Sequence, residues 1–187
     1  MLNRKNKLLL LKVLSLFSVV RGYNILVIAL AQYLASIYIL SPNLPLRQVV
    51  FDVNLFVIVI ASAMVIAGGY IINNFYDAEK DLINKPRKSM LDRLVSQRFK
   101  LTTYFVLNFM AVIVSFRAVF FFSSYIFGIW LYSHKLKKIP LLGNFISATL
   151  AITPFFVVFV YYRNFETVIF VHAFFLFLLI LAREMIK

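Results

Sequence analysis

Cysteine is absent from the 187 residues, which excludes a disulfide framework, a thiolate nucleophile and a cysteine metal site, and leaves no thiol for redox chemistry. Charge is absent from the runs Ile25 to Leu40 and Val53 to Ile72. A soluble domain of this length places charges at helical spacing along most of its helices, so these runs exclude that class. Period-two alternation is also missing. The apolar runs are continuous, which argues against a transmembrane barrel and leaves helices as the spanning form. No small-residue cleavage site follows the basic N-terminal stretch of Arg4, Lys5, Lys7 and Lys12, so it does not read as a signal peptide. Leu8 to Val20 reads instead as an interfacial amphipathic helix.

What is present is apolar: 63% hydrophobic residues and a mean hydropathy of +0.89. The expected fold is all-α, a polytopic transmembrane helix bundle forming one membrane domain over residues 1–187. Residues 1–20 form its cytoplasmic or interfacial N-terminal segment. Six spans are expected: Gly22 to Leu40, Val53 to Asn74, Leu101 to Phe116, Ala118 to Ser133, Leu141 to Tyr161 and Thr167 to Ala182. Ser41-Pro42-Asn43-Leu44-Pro45 ends the first, because proline cannot continue a helix.

The net charge of +13 raises nucleic acid as a partner, but the charges lie between the apolar runs and on one side. With the N-terminus inside, seventeen of the 20 Lys and Arg residues fall on the inner side, leaving Arg47, Arg117 and Arg163 outside. That positive-inside bias predicts cytoplasmic termini in an integral, multi-pass cell-membrane protein, and no nucleic-acid partner. The polar stretch from Asp77 to Lys100 then reads as a cytoplasmic loop, either capping a cavity or simply fixing orientation.

Asn73, Asp77 and Asp81 stand at i, i+4 and i+8 directly after about twenty apolar residues, so three polar groups share one helix face. Glu79 and Lys80 point elsewhere, and Asn74, about 100° round the helix from Asn73, either supports the site or packs against a neighbour. Two stacked carboxylates at a membrane helix end need a cation between them. Mg²⁺ suits this, being commonly held by one or two carboxylates together with substrate phosphates. The bland reading is a helix end meeting water.

Arg21 and Asn24, three apart at the start of the first span, would present a guanidinium and an amide to one cavity; Arg suits bidentate recognition of phosphate. The competing reading of Arg21 is a snorkelling anchor. In the run Leu131-Tyr132-Ser133-His134-Lys135-Leu136-Lys137-Lys138, Lys135 is the candidate to neutralise a diphosphate and Tyr132 a further contact. At least two of the three lysines are explained by orientation alone. His134 and His172 have no second ligand nearby in sequence. The 21 Phe and 10 Tyr residues include candidates to line an isoprenoid pocket and shield a cation.

These residues resemble the UbiA superfamily of intramembrane prenyltransferases. Its first acidic motif, N-x-x-x-D-x-x-x-D, matches Asn73 to Asp81, and Asn84-Lys85-Pro86 resembles its N-x-P ending. Arg21 with Asn24, Tyr132-Ser133 with Lys135, and Gly143-Asn144 are similar to further family positions. The resemblance implies a nine-span fold, of which about six spans are present, and a second acidic motif after the sixth. The chain stops at Arg183-Glu184-Met185-Ile186-Lys187, which is similar to the approach to that motif in bacterial members of the geranylgeranylglyceryl-phosphate-type branch. It is therefore expected to be truncated there, with a bacterial inner-membrane location.

The resemblance further implies a Mg²⁺-dependent prenyltransferase that moves a prenyl group from a polyprenyl diphosphate to an aromatic, quinone-precursor or glycerol-phosphate acceptor. Asp77, Asp81 and Asn73 would be the catalytic and metal-binding residues. Arg21, Asn24, Lys135 and Tyr132 would bind the diphosphate. The alternative is a truncated, non-catalytic membrane protein that binds prenyl lipid or a partner. A small transporter would need polar residues deep in several spans, and only Gln32, Asn108 and His172 lie there.

Overall fold

The computed structural model describes residues 4–186, and the side chains of residues 4, 5, 7, 8 and 9 fall outside the description. The basic groups of Arg4, Lys5, Lys7 and Lys187, expected on the inner side, thus lie outside the described residues. In chain order the helices are α1 (Arg4–Val19), α2 (Gly22–Ala35), α3 (Leu46–Val50), α4 (Val53–Asn84), α5 (Pro86–Asp92), α6 (Gln97–Val114), α7 (Val119–His134), α8 (Leu142–Tyr162) and α9 (Thr167–Ile186). A π-helical turn, Ser36–Leu40, extends α2, and 3₁₀ turns at Phe116–Ala118 and Leu136–Lys138 flank α7. No strand occurs among the described residues, as the continuous apolar runs predict.

Helix α4 is the spine. Asp52 caps it, accepting from the backbone N–H of Asn54 at 2.9 Å and of Leu55 at 3.4 Å, while the Tyr161 hydroxyl donates to its other oxygen at 2.7 Å. A cap of this kind satisfies N–H groups that the helix itself leaves orphaned. At 1.5 Å per residue the run Val53 to Ile72 covers roughly 30 Å, the thickness of a hydrocarbon core, so Asn73 to Asn84 continue past it. The stretch expected as a loop from Asp77 to Lys100 is therefore largely helical: the end of α4, then α5, then the start of α6. Pro86 breaks the chain into α4 and α5 without ending helicity, because proline is tolerated in a helix's first turn.

Among the described residues, five helical stretches are long and apolar enough to cross a membrane: Gly22–Leu40, Val53–Asn84, Phe116–His134, Leu142–Tyr162 and Thr167–Ile186. The expected span Leu101 to Phe116 is not among them, because its helix, α6, opens with Gln97, Arg98 and Lys100. It nevertheless runs antiparallel along α4, Lys100 meeting Asn74 and Asn108 meeting Gly68. Gly68 and Gly69 make this close packing feasible. A Cβ on Gly68 would stand 3.0 Å from the Asn108 amide, and one on Gly69 would stand 3.0 Å from Ile129 of α7. The protein is an integral, multi-pass helical bundle.

Several polar groups inside the bundle are satisfied by neighbouring helices or by their own, as a membrane interior favours. Pro154 in α8 has no N–H to give the carbonyl of Leu150, and the Tyr125 hydroxyl of α7 donates to that carbonyl at 3.1 Å. Buried Gln32 donates to the carbonyl of Pro154 at 2.7 Å and to Ser62 at 3.3 Å. Asn108 donates to its own helix at Tyr104, and the His172 ring lies 2.7 Å from the Val168 carbonyl. Asn108 and His172 thus meet backbone of their own helices, whereas Gln32 joins two neighbouring helices.

Tyr125→Phe should lower stability by about 1 kcal/mol, the worth of one hydrogen bond. Pro154→Ala supplies the missing N–H, so in that background the same change should cost measurably less. Thermal unfolding of the four proteins in detergent measures the coupling, and equal losses in both backgrounds would refute this role for the Leu150 carbonyl.

Candidate active site

The acidic face sits on the part of α4 that continues beyond the apolar run. Asp77 pairs with Lys137 at 2.7 Å, and the same ammonium donates to the Asn73 side-chain oxygen at 3.1 Å. Two residues one helical turn apart therefore turn oxygens toward one cation. The side chains are 12% exposed for Lys137 and 23% for Asp77, so the pair is shielded from the full screening that makes surface ion pairs weak. Asp81, one turn further on, has no hydrogen bond or ion pair among the described residues. Glu79 and Lys80 are exposed and off this face, as the helical phase predicts.

Lys137 reaches the face because of how α7 joins α8. It rides on the 3₁₀ turn Leu136–Lys138, after which Leu141 adopts φ 63, ψ −53 and the Leu142 N–H bonds the Pro140 carbonyl at 2.7 Å. That three-residue turn is a strained one. Gly143 then abuts the lysine turn: a Cβ there would meet the Leu136 carbonyl oxygen at 3.1 Å and the Lys137 Cα at 3.2 Å, both backbone atoms. Lys135, the lysine favoured from sequence, is exposed and forms no bond to the acids among the described residues. The 3₁₀ turn brings Lys137 rather than Lys135 to Asp77 and Asn73. Tyr132 is half-buried and forms no hydrogen bond to Asp77 or Asn73 among the described residues.

Arg21 and Asn24 converge on Tyr70, which lies on the α4 face one turn before Asn73. The guanidinium is 4.9 Å from the Tyr70 ring centroid, and the Asn24 amide donates to the Tyr70 hydroxyl at 3.4 Å. Arg21 is exposed and has φ 50, ψ 53, a left-handed elbow between α1 and α2. Across the site, Tyr76 packs on His134 at 5.3 Å between centroids, and His134 stacks on Trp130 at 5.6 Å. The His134 Nδ1 is buried with no hydrogen-bond partner among the described residues.

Beside the acids lies a second polar cluster, of which only Asn74 stood out in the sequence. The Asn74 amide donates to Asp92 at 2.9 Å and its oxygen accepts from Lys100 at 2.8 Å; Ser18 donates to the other Asp92 oxygen at 3.2 Å. Burial draws the Lys100 ammonium below the usual lysine range, and the nearby Asp92 carboxylate opposes that shift. Lys100 precedes the apolar part of α6. Of the missed residues only Tyr70 was legible, since positions 70, 73, 77 and 81 keep one helical phase.

Two apolar cavities lie in the half of the bundle that holds Asp52. One, of about 160 Å³, lies between α2, α8 and α9 and is walled by Phe155, Phe156, Phe159 and Phe170. The other, of about 580 Å³, lies beside Asp52 and includes Tyr33, Phe51 and Phe56. Asp52 and Asp77 are separated along α4 by roughly 37 Å at the helical rise, so these aromatic walls are remote from the acids.

No group of three or more His, Cys, Asp or Glu residues suited to a metal occurs among the described residues. The donors that are present still suit a hard cation partly ligated by its substrate. Asn73 and Asp77 already direct oxygens at one positive group, and Mg²⁺ prefers such oxygens with phosphate completing its shell.

A model of the UbiA prenyltransferase family matches residues 29–187. The digeranylgeranylglyceryl phosphate synthase of Thermococcus gammatolerans is 32% identical over 95 residues, covering 48% of this chain and 34% of its own. That of Sulfurisphaera tokodaii is 26% identical over 145 residues, covering 75% of this chain and 50% of its own. A solved structure concerned with digeranylgeranylglyceryl phosphate synthase in membranes shares the fold with a TM-score of 0.71 at 20% identity, covering 93% of this chain and 60% of that one. The chain thus spans a third to a half of the length of these curated relatives. Both named organisms are archaea, so the bacterial location expected from the Arg183–Lys187 ending gains no support from them.

Gly143→Val should push the lysine turn off the acids. Lysine acetylation read by mass spectrometry should then be severalfold faster at Lys137 in Gly143→Val and in Asp77→Asn, while exposed Lys135 reacts quickly in every variant. Unchanged protection of Lys137 in both would contradict the pairing.

Proposed function

Because the chain belongs to the UbiA prenyltransferase family, we propose that it carries the diphosphate-binding part of an intramembrane prenyltransferase. The donor is a polyprenyl diphosphate and the acceptor a hydroxyl-bearing glycerol phosphate. The observation that carries this reading is the convergence of Asn73 and Asp77 on Lys137 where α4 leaves its apolar run. The names of the similar synthases support the acceptor class, and exposed Lys135 and Lys138 supply the field that draws an anionic acceptor.

Asn73, Asp77 and Asp81 would hold Mg²⁺. Bound there, the metal supplies charge neutralisation for a departing diphosphate. Without substrate, Lys137 balances Asp77; with diphosphate present it exchanges the carboxylate for a phosphate oxygen, and Arg21 offers a second, forked donor from the α1–α2 elbow. The allylic C–O bond then breaks with both electrons leaving on the diphosphate, and the acceptor hydroxyl oxygen bonds the allylic carbon and gives its proton to the departing diphosphate. Orientation follows the charge: the basic end of the bundle, with the acids, faces the cytoplasm.

Purified protein in lipid, given radiolabelled geranylgeranyl diphosphate and Mg²⁺, tests the assignment. Asp77→Asn and Asp81→Asn should abolish metal-dependent binding, EDTA should do the same to the unaltered protein, and Glu79→Gln should be silent. Lys137→Gln should weaken binding roughly tenfold, as expected for one lost charge-assisted hydrogen bond, and Lys135→Gln far less. Undiminished affinity in either aspartate variant would sink the metal-site assignment. Binding without turnover when glycerol-phosphate acceptors are added would favour the non-catalytic lipid-binding alternative.

A further inference from the structure

The buried cluster beside the acids does something that packing alone does not require. Asp92 is 3% exposed, Lys100 1% and Asn74 9%, and burying an ammonium and a carboxylate is costly unless each is held by hydrogen bonds. Here they do not touch. The Asn74 amide lies between them, its N–H₂ on the carboxylate and its oxygen on the ammonium, so its dipole is aligned by both charges. The remaining Asp92 oxygen takes the Ser18 hydroxyl, and one residue away the Leu91 carbonyl accepts from fully buried Ser15 at 2.7 Å. One carboxylate therefore bridges α1 to α4. Three residues after Ser18 the chain turns at Arg21, whose left-handed elbow sets its guanidinium over Tyr70.

We propose that Asp92, Asn74 and Lys100 are positioning residues that dock α1 on α4 and so hold Arg21 over the acidic face, where the diphosphate is recognised. The consequence for binding rests on the diphosphate reading; the docking itself does not. None of the three contacts the substrate; they act through the elbow. A change that disturbs the cluster loosens α1, and Arg21 loses its fixed approach. Ordering of a charged side chain before the ligand arrives raises affinity by removing the cost of ordering it on binding.

The hydrogen-bond pattern provides its own rescue. Asp92→Asn removes the counter-charge of Lys100. Combined with Asn74→Asp, it restores every bond: Ser18 donates to the new amide oxygen at 92, the amide at 92 donates to the new carboxylate at 74, and that carboxylate accepts from Lys100. The net charge is unchanged.

Two measurements decide the matter. The chain has no cysteine, so spin labels placed through Leu14→Cys on α1 and Ile83→Cys on α4, both exposed sites, report the α1–α4 distance. The distribution should be narrow in the labelled parent, broad with Asp92→Asn, and narrow again in the swap. Mg²⁺ with inorganic pyrophosphate is the binding probe for the unlabelled, folded proteins in lipid. Asp92→Asn should weaken it roughly tenfold, the swap should restore it, and adding Asp92→Asn to Arg21→Ala should cost nothing further, because a cluster that acts through Arg21 has no effect once the guanidinium is gone. A purely structural role predicts additive losses or a lower unfolding temperature with affinity intact. An unbroadened distance distribution in Asp92→Asn, or additive losses in the double variant, overturns the proposal. Failure of the unaltered protein to bind Mg²⁺-pyrophosphate overturns the diphosphate reading instead and leaves the docking to be decided by the distances.

Discussion

Inside a membrane bundle no water stands ready to satisfy a polar atom, so each such atom has to find its partner on another part of the chain. Several of the helix contacts in this protein follow from that constraint. Asp52 is held by backbone N–H groups and by Tyr161, which brings the end of α8 to the start of α4. The carbonyl released by Pro154 is taken by Tyr125, which brings α7 to α8. Gln32 ties α2 to both α4 and α8. Apolar packing supplies most of the cohesion, but these bonds select which surfaces meet.

At the basic end the same rule acts on charges and produces two neighbouring arrangements with different exposure. Asp77 and Lys137 are partly accessible and directly paired, the arrangement that the proposed phosphate and metal binding would need. Asp92 and Lys100 are nearly inaccessible and separated by an amide whose own bonds are complete. A direct ion pair open to solution is suited to exchange, whereas a buried, saturated network is suited to holding helices. Asn73 and Asn74, adjacent in the chain, divide between the two because successive helical residues point about 100° apart.

Much of the site was legible in one dimension. The phase of Asn73, Asp77 and Asp81, the outward direction of Glu79 and the pairing of Arg21 with Asn24 all follow from 3.6-residue periodicity, and the helical bundle follows from uncharged runs long enough to cross a bilayer. What could not be read is where geometry departs from a regular helix. Lys137, not Lys135, reaches Asp77 because a 3₁₀ turn and a strained residue at Leu141 redirect the chain. The polar stretch after Asp77 is helical because nothing in it forbids a helix except Pro86, which a helix's first turn tolerates. Asp92 and Lys100 looked like ordinary members of a basic connection, since nothing local marks a charge as buried.

What the sequence determined by itself is therefore the class of the protein and one face of one helix: both depend on short-range periodicity and on the cost of placing charge in hydrocarbon, which neighbouring elements cannot reverse. The tertiary structure alone decided which lysine meets the acids, that Tyr70 receives Arg21, and that Asp92 joins α1 to α4. Those pairings join residues 18 to 74 positions apart, and their formation depends on helix junctions and on the close approach allowed at Gly68, Gly69 and Gly143, which no local pattern encodes.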